Sequence, residues 1–204
     1  MNYDFDKWRK EYPTSTFRQQ QLEWNALYDT YPNQVHWNAQ PVIDALNRAG
    51  MTITELGGWQ GELANHVIPI TNPARWTNYD ICPKAISNTV CHLPCYEPVL
   101  LSDWPWNTDL KPADAFVATH VIEHMTSGQI KELGQQLAAK YSILVIEAPV
   151  VDSATGFSWE GNGSTHILEL GWEQLESIFF SLGFQPVNRV LYTRIFQKIC
   201  ASTG

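Results

Sequence analysis

The sequence predicts an α/β fold: a doubly wound, mostly parallel seven-stranded sheet with a C-terminal antiparallel hairpin and an N-terminal helical layer. Three observations predict it. From residue 51 onward, short apolar runs alternate with segments of helical period, the order that builds parallel sheets through right-handed crossovers. Two of those runs, Ala115-Phe-Val-Ala118 and Ile143-Leu-Val-Ile146, are apolar throughout, as strands covered on both faces must be. The pattern then closes in two consecutive strand-like runs, 184–190 and 191–199, with no helix between them, so they pair as a hairpin.

Each element has its own signal. The first fifty residues read as helical and carry Trp8, Tyr12, Phe17, Trp24, Tyr28, Tyr31 and Trp37. Leu22, Leu27 and Tyr31 with Trp24 and Tyr28 recur at mixed steps of three and four, the period of a helix with one buried face, and Pro32-Asn33 ends that helix. A further helix over 41–49 turns Val42, Ile43 and Leu46 inward and is stopped by Gly50. This layer is either plain cover for the sheet or, in part, a lid over a ligand. Strands follow at 51–56, 77–81, 97–101, 115–120 and 142–146. Helices lie between them at 62–67, 83–88 and 127–140, the last with Ile130, Leu133 and Leu137 on one face. The run from Asp152 to Ser164 reads as a long loop, and a loop of that length is more often functional than idle. A helix over 172–182, ended by Gly183, precedes the final hairpin. With no repeat or linker, 1–204 is expected to form a single domain, 1–50 as the helical layer and 51–204 as the core.

Composition narrows the function. A chain of 204 residues buries roughly 70% of its unfolded surface, enough for one sizeable core. No apolar run approaches the roughly 20 residues of a membrane span, and the polar start lacks the layout of a signal peptide, so a cytoplasmic location is expected. The net charge of −8 disfavours nucleic acid as a partner, because phosphate-backbone binding depends on clustered Lys and Arg. Lys7, Arg9, Lys10 and Arg18 read as one solvated helix face. Cys82, Cys91, Cys95 and Cys200 make no paired zinc motif and read as reduced thiols.

The stretch Glu55-Leu-Gly-Gly-Trp-Gln-Gly61 is a strand end, a glycine-rich turn and a helix start in seven residues. Such a turn lets a ligand approach the backbone and aims free N–H groups at it. Its Gly57-x-x-x-Gly61 spacing is not the Gly-x-Gly-x-x-Gly of dinucleotide folds, which argues against an oxidoreductase. Asp80 ends the second strand, where an acid accepts hydrogen bonds from ribose hydroxyls in nucleotide-binding α/β folds. Asp103 follows the third strand in Leu101-Ser-Asp-Trp-Pro-Trp106, Asp114 opens the fourth, and Thr119-His-Val-Ile-Glu-His124 closes it. These four acidic positions, Asp80, Asp103, Asp114 and Glu123, are expected beside one edge of the sheet.

With these motifs, together with Tyr79-Asp-Ile81 and Gly183-Phe184, the chain resembles the class I S-adenosylmethionine-dependent methyltransferases from about Ile53 to Ile199. The resemblance implies a Rossmann-like fold and S-adenosyl-L-methionine as cofactor, with S-adenosyl-L-homocysteine as product. It assigns Glu55, Gly57, Gly58, Trp59 and Gly61 to the cofactor turn, Asp80 and Ile81 to the ribose, and Asp103 and Trp104 to the adenine. Thr119 and His120 fall beside the reacting methyl. The family's turn usually has glycine where Trp59 stands, so either the turn takes a negative φ there or Trp59 covers the ligand and offsets the strain. His120, Glu123 and His166 are the candidates for taking a proton from the acceptor. The implied activity is methyl transfer to oxygen or nitrogen of a small-molecule or sugar-like acceptor, with no metal. Two alternatives stay open. His120-x-x-Glu123-His124 with His166 is similar to the metal-binding residues of RNA 3′-terminal 2′-O-methyltransferases, and an idle domain could keep the adenosyl pocket for binding alone.

Overall fold

The computed structural model describes residues 15–30, 39–148, 170–190 and 192–199. Two helices, α1 (Phe17–Thr30) and α2 (Ala39–Leu46), precede β1 (Thr52–Leu56). Then come α3 (Glu62–Thr71), β2 (Arg75–Asp80), α4 (Pro83–Ser87), β3 (Tyr96–Leu100) and β4 (Ala115–Thr119). A 3-10 turn (Ile122–His124) leads to α5 (Ser127–Lys140), β5 (Ile143–Glu147), α6 (Trp172–Ser181), β6 (Phe184–Val190) and β7 (Thr193–Lys198).

The seven strands form one sheet in the order β3-β2-β1-β4-β5-β7-β6. The first five run parallel, and β7 pairs antiparallel with both β5 and β6. Strand direction alternates side chains between faces, and β4 makes the consequence plain. Phe116 and Ala118 join a core with Ile130, Leu133 and Leu137 of α5 and Leu175 and Phe179 of α6. Ala115 and Val117 join the other core, with Val42, Ile43 and Leu46 of α2 and Leu63 and Val67 of α3. The sheet is covered on both faces, which is why β4 and β5 read as unbroken apolar runs.

Helix α5 keeps its sequence-read bounds because Thr126 caps it: the Thr126 hydroxyl accepts from Gln129 N–H while the Gln129 side chain accepts from Thr126 N–H. Elsewhere the bounds move. Helix α3 runs through Pro69 to Thr71 instead of stopping at 67, since Ile68 and Thr71 are buried and the turn closes at Asn72, whose N–H reaches Ile68 O with φ +46°. Helix α2 ends at Leu46, and Gly50, expected as its cap, instead donates its N–H to Asn72 O. Strand β4 stops at Thr119 because His120 takes φ +55°.

Candidate active site

In open α/β sheets ligands lie at the carboxyl ends of the strands where strand order reverses, here between β1 and β4. The turn after β1 is built for close approach. Gly57 has φ +71°, and a Cβ there would stand 2.3 Å from Val121 Cγ2, on the segment after β4. Gly61 has φ +84° and opens α3. Between them Gly58 N–H donates to Asn78 Oδ1 of β2 at 3.0 Å. Trp59 does not take the negative φ offered as one choice: its φ is +52°, left-handed, at a cost of roughly 1–2 kcal/mol for an L-residue. Its indole packs between Trp24 (6.3 Å) and Tyr28 (5.2 Å) of α1. That aromatic packing offsets the strain.

Asp80 is tied into the same turn. Its Oδ2 accepts Trp59 N–H at 2.9 Å and its Oδ1 accepts Cys82 N–H at 2.7 Å. Burial pushes its carboxyl up to about 6; the Cys82 and Trp59 N–H groups, and that of half-buried Ile81, pull the other way. Glu55 lies deeper. It is fully buried beneath Gly58, where an added Cβ would meet Glu55 Cδ at 2.4 Å, and its Oε2 accepts the Trp76 indole N–H at 2.7 Å. Burial raises it to about 8, against the Trp76 bond, with Asp80 and Glu62 adding to the rise. Glu55 therefore supports the turn from below.

Asp103 is exposed after β3, its Oδ1 accepting Trp104 N–H at 2.7 Å. Trp104 stacks on Trp106 at 5.0 Å and takes the edge of Phe17 at 5.3 Å. Asp114 departs from expectation. It stands at the opposite edge of the sheet, where its Oδ2 accepts the N–H and hydroxyl of Thr52 at the start of β1.

At the tip of β4, Thr119 is buried and His120 is left-handed. The His120 imidazole lies between two buried carboxylates: Nδ1 is 3.3 Å from Glu123 Oε1, and Nε2 is 3.3 Å from Glu147 Oε1. Glu147, the last residue of β5, was not singled out from sequence. The signal was there, since an acid ending a buried parallel strand is the same feature that marks Asp80. Neighbouring His124 turns to the edge of Trp24 at 5.1 Å. Among the described residues, no group of three or more His, Cys, Asp or Glu side chains is arranged to hold a metal ion. His166 and the loop 152–164 lie outside the described residues.

Helix α1 lies against the segments that follow β1, β2, β3 and β4. Phe17 meets Trp104, Gln21 Nε2 donates to Leu101 O at 3.2 Å, and Asn25 Oδ1 accepts from Lys84 N at 3.2 Å and from Cys82 Sγ. Trp24 and Tyr28 cover Trp59, and Tyr28 also bonds Gln60. These five positions share one helical face by their spacing.

No model of a protein family matches the chain, and no curated protein sequence matches it. Solved structures do. A chain of the Haloferax volcanii complex between the Trm112 methyltransferase activator and a methyltransferase aligns at TM-score 0.71 and 9% identity, over 93% of this chain and 100% of that one. Human N-acetylserotonin methyltransferase in complex with SAM aligns at 0.65 and 13%, over 91% of this chain and 57% of the human one. The N-methyltransferase NodS of Bradyrhizobium japonicum, with S-adenosyl-L-homocysteine, aligns at 0.59 and 17%, over 78% and 84%. At these identities the likeness is one of fold, and with the 3-2-1-4-5-7-6 sheet and its reversed last hairpin it gives the chain the fold of the class I S-adenosylmethionine-dependent methyltransferases.

Proposed function

We propose that the chain is an S-adenosylmethionine-dependent methyltransferase acting on oxygen or nitrogen of a small-molecule or sugar-like acceptor, and that it works as a single cytoplasmic domain. The observation that carries this reading is the joining of the Gly57–Gly61 turn to Asp80 at the switch point of the sheet. The residues present fit the cofactor. Asp80 accepts the Trp59 N–H on Oδ2 and the Cys82 N–H on Oδ1, and being ionised above about pH 6 it would accept a ribose hydroxyl strongly on a remaining lone pair. Exposed Asp103, beside the Trp104 indole, suits the amino edge and face of an adenine.

When bound, S-adenosylmethionine supplies an activated methyl group. The protein's part is mainly placement, and holding two reactants in near-attack geometry is worth on the order of 7–11 kcal/mol. His120, beside Thr119 at the tip of β4 with a side chain partly open to solvent, is the group we assign to take a proton from an acceptor hydroxyl or amine. No helix among the described residues is long and apolar enough to cross a membrane, and the site's surroundings are acidic, which favours a small acceptor over a polyanion.

The test is transfer of label from methyl-labelled S-adenosylmethionine to fractions of a cell extract. Label in the small-molecule fraction, lost in Asp80→Ala, is expected. Label confined to RNA overturns the acceptor class, and binding without transfer to any fraction favours an idle domain.

A further inference from the structure

We infer that Asn78 is a positioning residue for the cofactor turn, keeping Trp59 left-handed so that the turn holds the shape the cofactor meets. The inference rests on the methyltransferase reading and adds a residue on which that reading's turn depends. Asn78 lies within β2, fully buried, directly across the β1–β2 ladder from Glu55. Its Oδ1 accepts Gly58 N–H at 3.0 Å, and its Nδ2 donates to Trp59 O at 3.3 Å and to the Tyr96 hydroxyl at 2.9 Å. The backbone groups facing it fix which way the amide points, since an N–H only donates and a carbonyl only accepts. Asparagine carries a donor and an acceptor on one short side chain; an ionised Asp, or any apolar side chain, cannot meet both.

Strand β2 grips the turn at three successive residues. Gly57 N–H goes to Tyr79 O at 2.7 Å, Gly58 N–H to Asn78 Oδ1 and Trp59 N–H to Asp80 Oδ2. Asn78 also takes the Trp59 carbonyl. Residue 59 is therefore bonded at its N–H by Asp80 and at its C=O by Asn78, two residues that share one face of the strand. That double hold matters here because φ is +52°. An L-residue released from it returns to negative φ, whereas glycine has little preference between the two. The indole does not add a hydrogen bond of its own: Trp59 Nε1 is buried and has no partner among the described residues. Its packing on Trp24 and Tyr28 contributes energy with little direction, so the bonds from β2 select the left-handed backbone. Tyr96 fixes the amide in turn. Its hydroxyl accepts from Asn78 Nδ2 and stands 2.4 Å from where a Cβ on Gly61 would lie, so both ends of the turn rest on the same pair of side chains.

The test is calorimetric titration with S-adenosyl-L-homocysteine of the wild type, Asn78→Ala, Trp59→Gly and the double variant, with urea unfolding of each to establish that it is folded. Asn78→Ala should weaken binding about 5- to 30-fold, the population penalty of a left-handed L-residue. In the Trp59→Gly background the same change should cost about twofold or less, because glycine carries no such penalty. A residue that only fills the core would cost the same in both backgrounds. Tyr96→Phe should lose about threefold, the scale of one neutral hydrogen bond, again only with Trp59 present, and it keeps the test alive if Asn78→Ala does not fold. Unchanged affinity in folded Asn78→Ala or Tyr96→Phe, or an equal loss in both backgrounds, overturns the inference. Loss of binding in Trp59→Gly alone also overturns it, since the indole rather than its held backbone would then be what the cofactor needs. With the ligand bound by the wild type, any of those results overturns this inference alone. No binding by a folded wild type overturns the methyltransferase reading beneath it.

Discussion

The backbone N–H of Trp59 donates to Asp80 Oδ2 at 2.9 Å, so the turn after β1 and the carboxylate after β2 form one unit. On the proposed reading, anything that changes the acceptor strength of Asp80 acts on both the turn and the bound cofactor. Asp80→Asn keeps one acceptor oxygen and loses the charge. Its affinity for S-adenosyl-L-homocysteine should fall roughly 10- to 100-fold, the worth of one hydrogen bond to a charged group. Because burial raises the Asp80 carboxyl to about 6, wild-type affinity should also fall between pH 7.5 and pH 5 as that carboxyl protonates, and the Asn variant should lack this step. Calorimetry at the two pH values checks both.

Glu55 makes a prediction about stability. Its folded carboxyl, at about 8, lies above the unfolded value of 4.5, so between those values the folded chain holds a proton that the unfolded chain releases. Stability therefore falls as pH rises through that window and levels off above it. Asp80 contributes the same sign only up to about pH 6, which leaves the range from 6.5 to 8.5 to Glu55. Wild type should lose on the order of a few kcal/mol across that range in urea unfolding, and Glu55→Gln should be nearly flat. Parallel curves for the two proteins would contradict the assignment.

His120 carries φ +55°, a conformation that glycine takes without penalty. Comparing two truncations isolates the strain, since both remove the imidazole. His120→Gly should be more stable than His120→Ala by about 1–2 kcal/mol, the reverse of the usual order of these residues outside the left-handed region. Urea midpoints of the two variants decide it.

Trp59 fastens α1 to the strand tips through Trp24 and Tyr28. Aromatic pairs of this kind are worth about 0.5–1.5 kcal/mol each beyond their buried area. Trp59→Ala should accordingly speed hydrogen exchange in α1 by about tenfold or more, while β4 and β5 stay protected. Equal acceleration in the central strands would mean that the indole supports the whole sheet.

The parts of the fold legible in the sequence are those set by local chemistry. The unbroken apolar runs of β4 and β5 mark strands buried on both faces, and Thr126 with Gln129 marks the start of α5. Asp80 and the Gly57–Gly61 turn are legible because both sit at strand ends with a fixed spacing. The rest depends on register and packing. The contact of Glu147 with Thr193 joins residues 46 apart and exists only because β7 runs antiparallel beside β5. Gln21 bonds the backbone just after β3 and Asn25 the first turn of α4, yet as polar residues in an amphipathic helix they carry no mark of it. Pro69 hid the last turn of α3, since a proline inside a helix ordinarily ends it, and here burial of Ile68 and Thr71 prevails. Asp114 shows the opposite error: proximity to a strand does not say which end of the sheet a residue occupies.

The proposal that the tips of β1, β2 and β3 cradle an adenosyl group is tested most directly by calorimetric titration of the purified chain with S-adenosyl-L-homocysteine at pH 7.5, beside Asp80→Ala. One saturable site per chain, lost or greatly weakened in the variant, is the expected result. Heats of dilution alone from a folded wild type, or equal binding by the two proteins, would contradict it.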